Sequence, residues 1–133
     1  MLERAKELRQ LGESARRRDR DAARRCYEEA VAILRDCGEP QLLAHTLRHL
    51  GDVYFENGDT PLAGPCFSEA LQLYHADPAT PRLQLANAIR SMALYQGQVG
   101  DQSAARLLWA EAGELYRLEA IQAGVEECEG WLA

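Results

Sequence analysis

The stretch Leu47-Arg-His-Leu-Gly-Asp-Val-Tyr-Phe-Glu-Asn-Gly-Asp-Thr-Pro-Leu-Ala-Gly-Pro-Cys-Phe-Ser-Glu-Ala-Leu-Gln-Leu-Tyr74 decides the fold. Leu47, Leu50, Gly51 and Tyr54 fall at i, i+3, i+4 and i+7, the spacing of one apolar stripe along a helix. After the Gly58-Asp59 pair, Ala63, Phe67, Ala70 and Tyr74 define a second stripe of the same kind. Gly58 can adopt the positive φ that ends a helix, and Asp59 suits the N-cap of the next. The stretch predicts two antiparallel helices joined by a tight turn. Gly51 and Ala63 carry almost no side chain, so the two backbones can approach there and Phe67 can fill the space beside them.

The pattern recurs. Shifted forward by 42 residues, the positions Leu47, Leu50, Gly51, Gly58, Asp59, Ala63, Phe67, Ala70, Leu73 and Tyr74 become Ile89, Met92, Ala93, Gly100, Asp101, Ala105, Trp109, Ala112, Leu115 and Tyr116. Shifted backward they become Leu8, Leu11, Gly12, Ala23, Tyr27, Ala30, Ile33 and Leu34, with Asp19 alone in place of the Gly-Asp pair. A unit of roughly 40 residues is thus present three times, over residues 2–37, 40–75 and 81–117. Gly38-Glu39-Pro40 and Asp77-Pro-Ala-Thr-Pro81 separate the units, and Thr80-Pro81 reads as an N-cap followed by a first-turn proline. Residues 121–132 place Val125, Cys128, Trp131 and Leu132 on one side and glutamates on the other, which suits a helix capping the open end of a stack.

These spacings, with the AGPCFSEAL run of residues 63–71, resemble the tetratricopeptide repeat. The long period and the proline-containing joins resemble its kinesin-light-chain-like type, which is found in many bacterial proteins. The resemblance implies one all-α domain, residues 1–133: a right-handed α-solenoid of three antiparallel helix pairs plus the C-terminal capping helix. It further implies a non-enzymatic scaffold whose concave groove, lined by the first helix of each pair, binds a peptide or a partner's helix. Carrying the groove positions through the repeat gives Lys6, Arg9 and Glu13, with Arg16 and Arg17 beyond them, in the first unit. In the second it gives His45, Arg48, His49, Asp52, Phe55 and Glu56, and in the third Asn87, Arg90, Ser91, Leu94 and Gln98. Arg9, Arg48 and Arg90 are equivalent, and a row of guanidinium groups suits carboxylates through bidentate charge-assisted bonds. An acidic partner segment is therefore expected.

Composition fits this reading and excludes others. Of 133 residues, 47% are hydrophobic and 27% charged, the balance of a globular protein. Residues 1–25 carry nine Lys/Arg against five Asp/Glu, whereas the other 108 carry six against sixteen, for a net charge of −6. A long acidic body argues against nucleic-acid binding, which depends on neutralising phosphates. The run ARRRDRDAARR, residues 15–25, reads as a solvated turn and outer helix face rather than an RNA site, its arginines interleaved with Asp19 and Asp21. The N-terminus is too charged for a signal peptide, and no apolar run has membrane-spanning length. A cytoplasmic protein is expected, without membrane association.

Cys26, Cys37, Cys66 and Cys128 show no zinc-ligand spacing and read as reduced thiols, Cys26 and Cys66 as small buried hydrophobes beside Tyr27 and Phe67. His45 and His49 stand one helical turn apart and could chelate a metal, but spacing supplies no third ligand and Arg48 opposes a cation. With no Ser-His-Asp set, no phosphate-cradling glycine loop and no paired catalytic carboxylates, neither an enzyme nor a cofactor is expected. A separate possibility is head-to-tail self-association, because the basic first unit and the tail bearing Glu119, Glu126, Glu127 and Glu129 lie at opposite ends of the sequence.

Overall fold

The computed structural model describes all 133 residues as seven α-helices. In order they are α1 (Leu2–Ala15), α2 (Arg20–Leu34), α3 (Pro40–Glu56), α4 (Thr60–Ala76), α5 (Arg82–Gln98), α6 (Gln102–Leu118) and α7 (Gln122–Leu132). No helix is long and apolar enough to cross a membrane. The chain divides into two compact units, Met1–Leu73 and Tyr74–Ala133, described in turn.

In the first unit the small residues set the helix contacts as their spacing implies. A Cβ built on Gly12 would lie 3.0 Å from the Tyr27 ring, so α1 rests on α2 at van der Waals distance. The approach at Gly51 is tighter: a Cβ there would come 2.5 Å from Phe67 Cε1 and 3.1 Å from Cys66 Cβ, both on α4. Ala23, Ala30, Ala63 and Ala70 are fully buried along the same seams. Tyr54 ties α3 to α2, its hydroxyl donating to Glu28 Oε2 at 2.5 Å. Burial first, and then the hydrogen bond and charge of Glu28, raise the Tyr54 pKa well above its usual value, so the phenol stays protonated. Cys26 and Cys66 are half-buried rather than fully enclosed, and burial pushes the Cys66 thiol up to about 11, which makes it a poor nucleophile.

In the second unit, α5 and α6 pack together with Ala93 and Trp109 buried, and the Tyr116 hydroxyl donates to Asn87 Oδ1 at 2.7 Å. α7 then lies on α6. A Cβ on Gly124 would meet the Tyr116 ring at 2.5 Å, one on Gly113 would meet Cys128 Cβ at 3.1 Å, and Trp131 stacks on Trp109 with centroids 5.4 Å apart. Val125, Cys128 and Leu132 repeat the three-then-four spacing of Ala86, Ile89 and Ala93 and of Ala44, Leu47 and Gly51. α7 packs on α6 as α3 packs on α2, so it occupies the place of a first helix of a pair.

The turns follow one scheme. The amide of Asp59 donates to Tyr54 O, that of Asp101 to Gln96 O and that of Ile121 to Tyr116 O, at 2.8, 2.9 and 2.9 Å. This bond closes a helix end when the residue before the donor is left-handed. That residue is Gly58 (φ +84°), Gly100 (φ +94°) and, without the freedom of glycine, Ala120 (φ +56°). Asp19 and Asp101 cap the following helices as expected, accepting from the amides of Ala22 and Ala104. The Thr80-Pro81 expectation is off by one position. Pro81 itself is the N-cap of α5, with φ −59° and ψ 135°, and the Thr80 hydroxyl donates instead to Tyr74 O at 2.8 Å.

Candidate protein-interaction site

The polar chemistry of the first unit converges where the end of α1 and the start of α2 meet the C-terminal half of α3. Arg16 is the C-cap of α1, so its side chain leaves the helix end and reaches across to α3. Its Nε and Nη2 donate to the two carboxylate oxygens of Glu56 at 3.3 and 3.0 Å, and Asp52 Oδ2 lies 3.8 Å from Nη2. Burial opposes the Arg16 charge, but the two carboxylates outweigh it and its pKa is raised. Arg20, at the first position of α2, donates to the backbone carbonyl of Glu56 at 3.0 Å. No cation stands in the last turn of α3. The guanidinium of Arg20 supplies one to the negative end of that helix. The 15–25 run is therefore not simply solvated: Arg16 and Arg20 clamp α3, whereas Arg17 and Arg18 stay exposed.

His49 sits at the centre of this arrangement. Its ring stacks on Tyr27 with centroids 5.9 Å apart and an interplanar angle of 11°. Arg16 Nη1 lies 3.2 Å from its Nδ1, while Arg48 Nη2 and His45 Nε2 each lie 3.2 Å from its Nε2. Burial, followed by the positive charges of Arg48, His45, Arg16 and Arg9, lowers the His49 pKa from 6.5 to about 2. The imidazole is neutral at any physiological pH. The two histidines do touch, as a chelating pair would, but the groups completing their surroundings are guanidinium donors. No group of three or more His, Cys, Asp or Glu side chains is arranged to hold a metal ion.

The expected groove residues separate into two kinds. Arg48 is spoken for: it donates to Asp52 Oδ2 at 3.1 Å within α3, and both side chains are largely buried. Arg90 grips Glu127 of α7 with two bonds of 2.6 and 3.0 Å. Asn87 accepts from Tyr116, and Lys6 leans towards Glu3 at 3.6 Å. Phe55 and Leu94 are half-buried, and Glu13 is exposed. Arg9, unlike its equivalents, has no carboxylate partner, and its Nε, like that of Arg48, is buried without a hydrogen-bond acceptor. The repeat explains the difference. Matching α7 to the other first helices puts Glu127, the acceptor for Arg90, at the place of Thr46, and the Thr46 hydroxyl is spent on Leu42 O at 2.7 Å.

Beside this network lies a cleft of about 970 Å³, lined by Glu13, Ser14, Arg16, Arg17, Arg20, His49 and Glu56. Face arithmetic on single helices found Glu13, Arg16, Arg17, His49 and Glu56 but gave Arg20 no role. The signal available for Arg20 was the absence of any cation near the end of α3.

The model of the tetratricopeptide repeat matches residues 3–74 and 42–117, two overlapping windows that each hold two helix pairs and share the α3–α4 pair. The chain belongs to the tetratricopeptide repeat family. Proteins of this family generally act as non-enzymatic modules for protein–protein interaction. Helix α7 lies beyond the matched windows. No curated protein matches the chain.

Proposed function

We propose that this tetratricopeptide repeat protein is a non-enzymatic interaction module that captures an acidic segment of a partner protein, with the arginine-lined cleft of the first unit as its point of recognition. The observation that carries the reading is the surplus of cation there. Arg17 lines the cleft and is exposed without an ion pair, and Arg20 spends its charge only on a backbone carbonyl. Arg9, further along α1, has a buried Nε that lacks an acceptor. Carboxylates presented on a helix or extended segment would neutralise this surplus through bidentate bonds. The more enclosed Arg16 and Arg48, already held by Glu56 and Asp52, would keep the cleft wall rigid, so little side-chain freedom is lost on binding. Phe55 offers apolar contact on the same helix as His49.

The test is fluorescence anisotropy with a labelled helical peptide bearing glutamates and its lysine-bearing counterpart. The glutamate peptide should bind, the lysine peptide should not, and Arg17→Glu/Arg20→Glu should weaken binding on the order of tenfold or more. Equal binding of the two peptides would overturn the reading.

A further inference from the structure

The acidic segment that fits this cleft is present in the chain itself. Residues 118–133 contain Glu119, Glu126, Glu127 and Glu129 and no Lys or Arg. Glu127 is held by Arg90 and Glu119 by Arg82, but Glu126 and Glu129 are not neutralised in this way. Both are exposed, three residues apart on α7. Glu126 meets only the amide of Gln122, at 3.3 Å, and the nearest cation to Glu129 is an exposed Arg117 nitrogen at 3.9 Å. Residues three apart on a helix present their carboxylates side by side, and the cleft offers two arginines, Arg17 in the α1–α2 turn and Arg20 at the start of α2.

We infer that the cleft of one copy receives α7 of a second copy, with Glu126 and Glu129 paired to Arg17 and Arg20. This rests on the reading of the cleft as a site for acidic segments and names its occupant. The two surfaces differ, so the contact is heterologous. A second copy bound in this way still offers its own α7, and association continues into short chains or a ring. One helix of 11 residues covers less than a standard interface, so the contact is weak and reversible.

Sedimentation velocity of the purified chain over a range of concentrations tests the inference. At low salt the average mass should rise with concentration, and about 0.5 M salt should weaken association by roughly tenfold or more, because the paired groups are exposed. Glu126→Lys/Glu129→Lys and Arg17→Glu/Arg20→Glu, each checked for unchanged helicity, should separately remain monomeric. Mixed in equal amounts they should associate again into alternating chains or rings, because the reversed cleft meets a reversed helix and the unchanged cleft meets an unchanged helix. The first variant changes only exposed side chains of α7, so its loss of association cannot be attributed to damage in the cleft. A wild type that stays monomeric throughout, or association that survives in either variant, overturns the inference. If the glutamate peptide still discriminates in that case, the reading of the cleft stands and only its occupant is wrong. If the peptide result fails as well, both fall.

Discussion

At equivalent positions the two units make opposite choices. In the first, α3 carries His49, Asp52 and Tyr54; 42 residues on, α5 carries Ser91, Leu94 and Gln96. The first unit consequently builds a half-buried network in which Arg16 and Arg48 pair with Asp52 and Glu56 around His49. The second carries its first-helix charge through Arg90 and Glu127 at its surface and relies on Trp109, Tyr116 and Trp131 for the rest. The same two-helix scaffold tolerates both because glycine or alanine and an aromatic ring fix the helix approach, leaving the remaining first-helix positions free to be polar or apolar. Charge chemistry concentrates in the first unit for that reason.

The sharpest way to break the comparison is at Gly51. Its counterpart Ala93 accepts a methyl group, but a Cβ on Gly51 would lie 2.5 Å from Phe67. Gly51→Leu should cost about 1–3 kcal/mol through overpacking, read from urea denaturation. An unchanged midpoint would show that the α3–α4 contact is less tight than described.

The pH dependence of stability comes next. His49 titrates at about 2 in the folded chain and near 6.5 when unfolded, so below pH 6.5 the unfolded state binds the extra proton. Above that pH His49 contributes no dependence. Acidification from pH 7 to pH 5 should remove about 1–2 kcal/mol of stability, and His49→Gln should flatten this slope. Nothing equivalent stands at Ser91 in the second unit. A wild-type stability that stays flat over this range would contradict the buried, donor-surrounded imidazole.

Tyr54→Phe removes the hydroxyl bonded to Glu28 and should cost about 1 kcal/mol in the same denaturation experiment. Gln96, at the equivalent place, reaches only the Met92 sulfur at 3.8 Å, and Gln96→Ala should change stability by less than Tyr54→Phe does. Glu127→Gln, which discharges the partner of Arg90 at a partly exposed site, should cost about 0.5 kcal/mol or less, and the loss should shrink in salt.

The sequence made the repeat and its turns legible because they depend on local rules. Small residues mark where backbones meet, and Asp19 and Asp101 cap the helices that follow them. The second helix of each pair shows its apolar stripe plainly. The site was only half legible. Helix spacing says that His45, His49 and Asp52 share a face, but not that Arg16 spans from α1 to Glu56 or that Arg20 closes the end of α3. Those pairings depend on which helix lies opposite, and one-dimensional periodicity does not contain that. The equivalence of Arg9, Arg48 and Arg90 was visible, yet their differing partners follow from Asp52, Thr46 and Glu127, positions that only the packing relates to them.

The turn at Ala120 has a consequence for the order in which the molecule loosens. It makes the same helix-closing bond as the turns at Gly58 and Gly100 but holds a side chain in the left-handed region, at a cost on the order of 1 kcal/mol. Helix α7, which it introduces, has 11 residues, of which Val125 and Cys128 are the fully buried ones. Amides of α7 are thus expected to exchange with solvent deuterium ahead of those in α3. A helix so readily loosened is also a sensitive reporter: any surface that holds it, in another copy or another protein, would be registered as slowed exchange in α7 before any change in the melting of the rest.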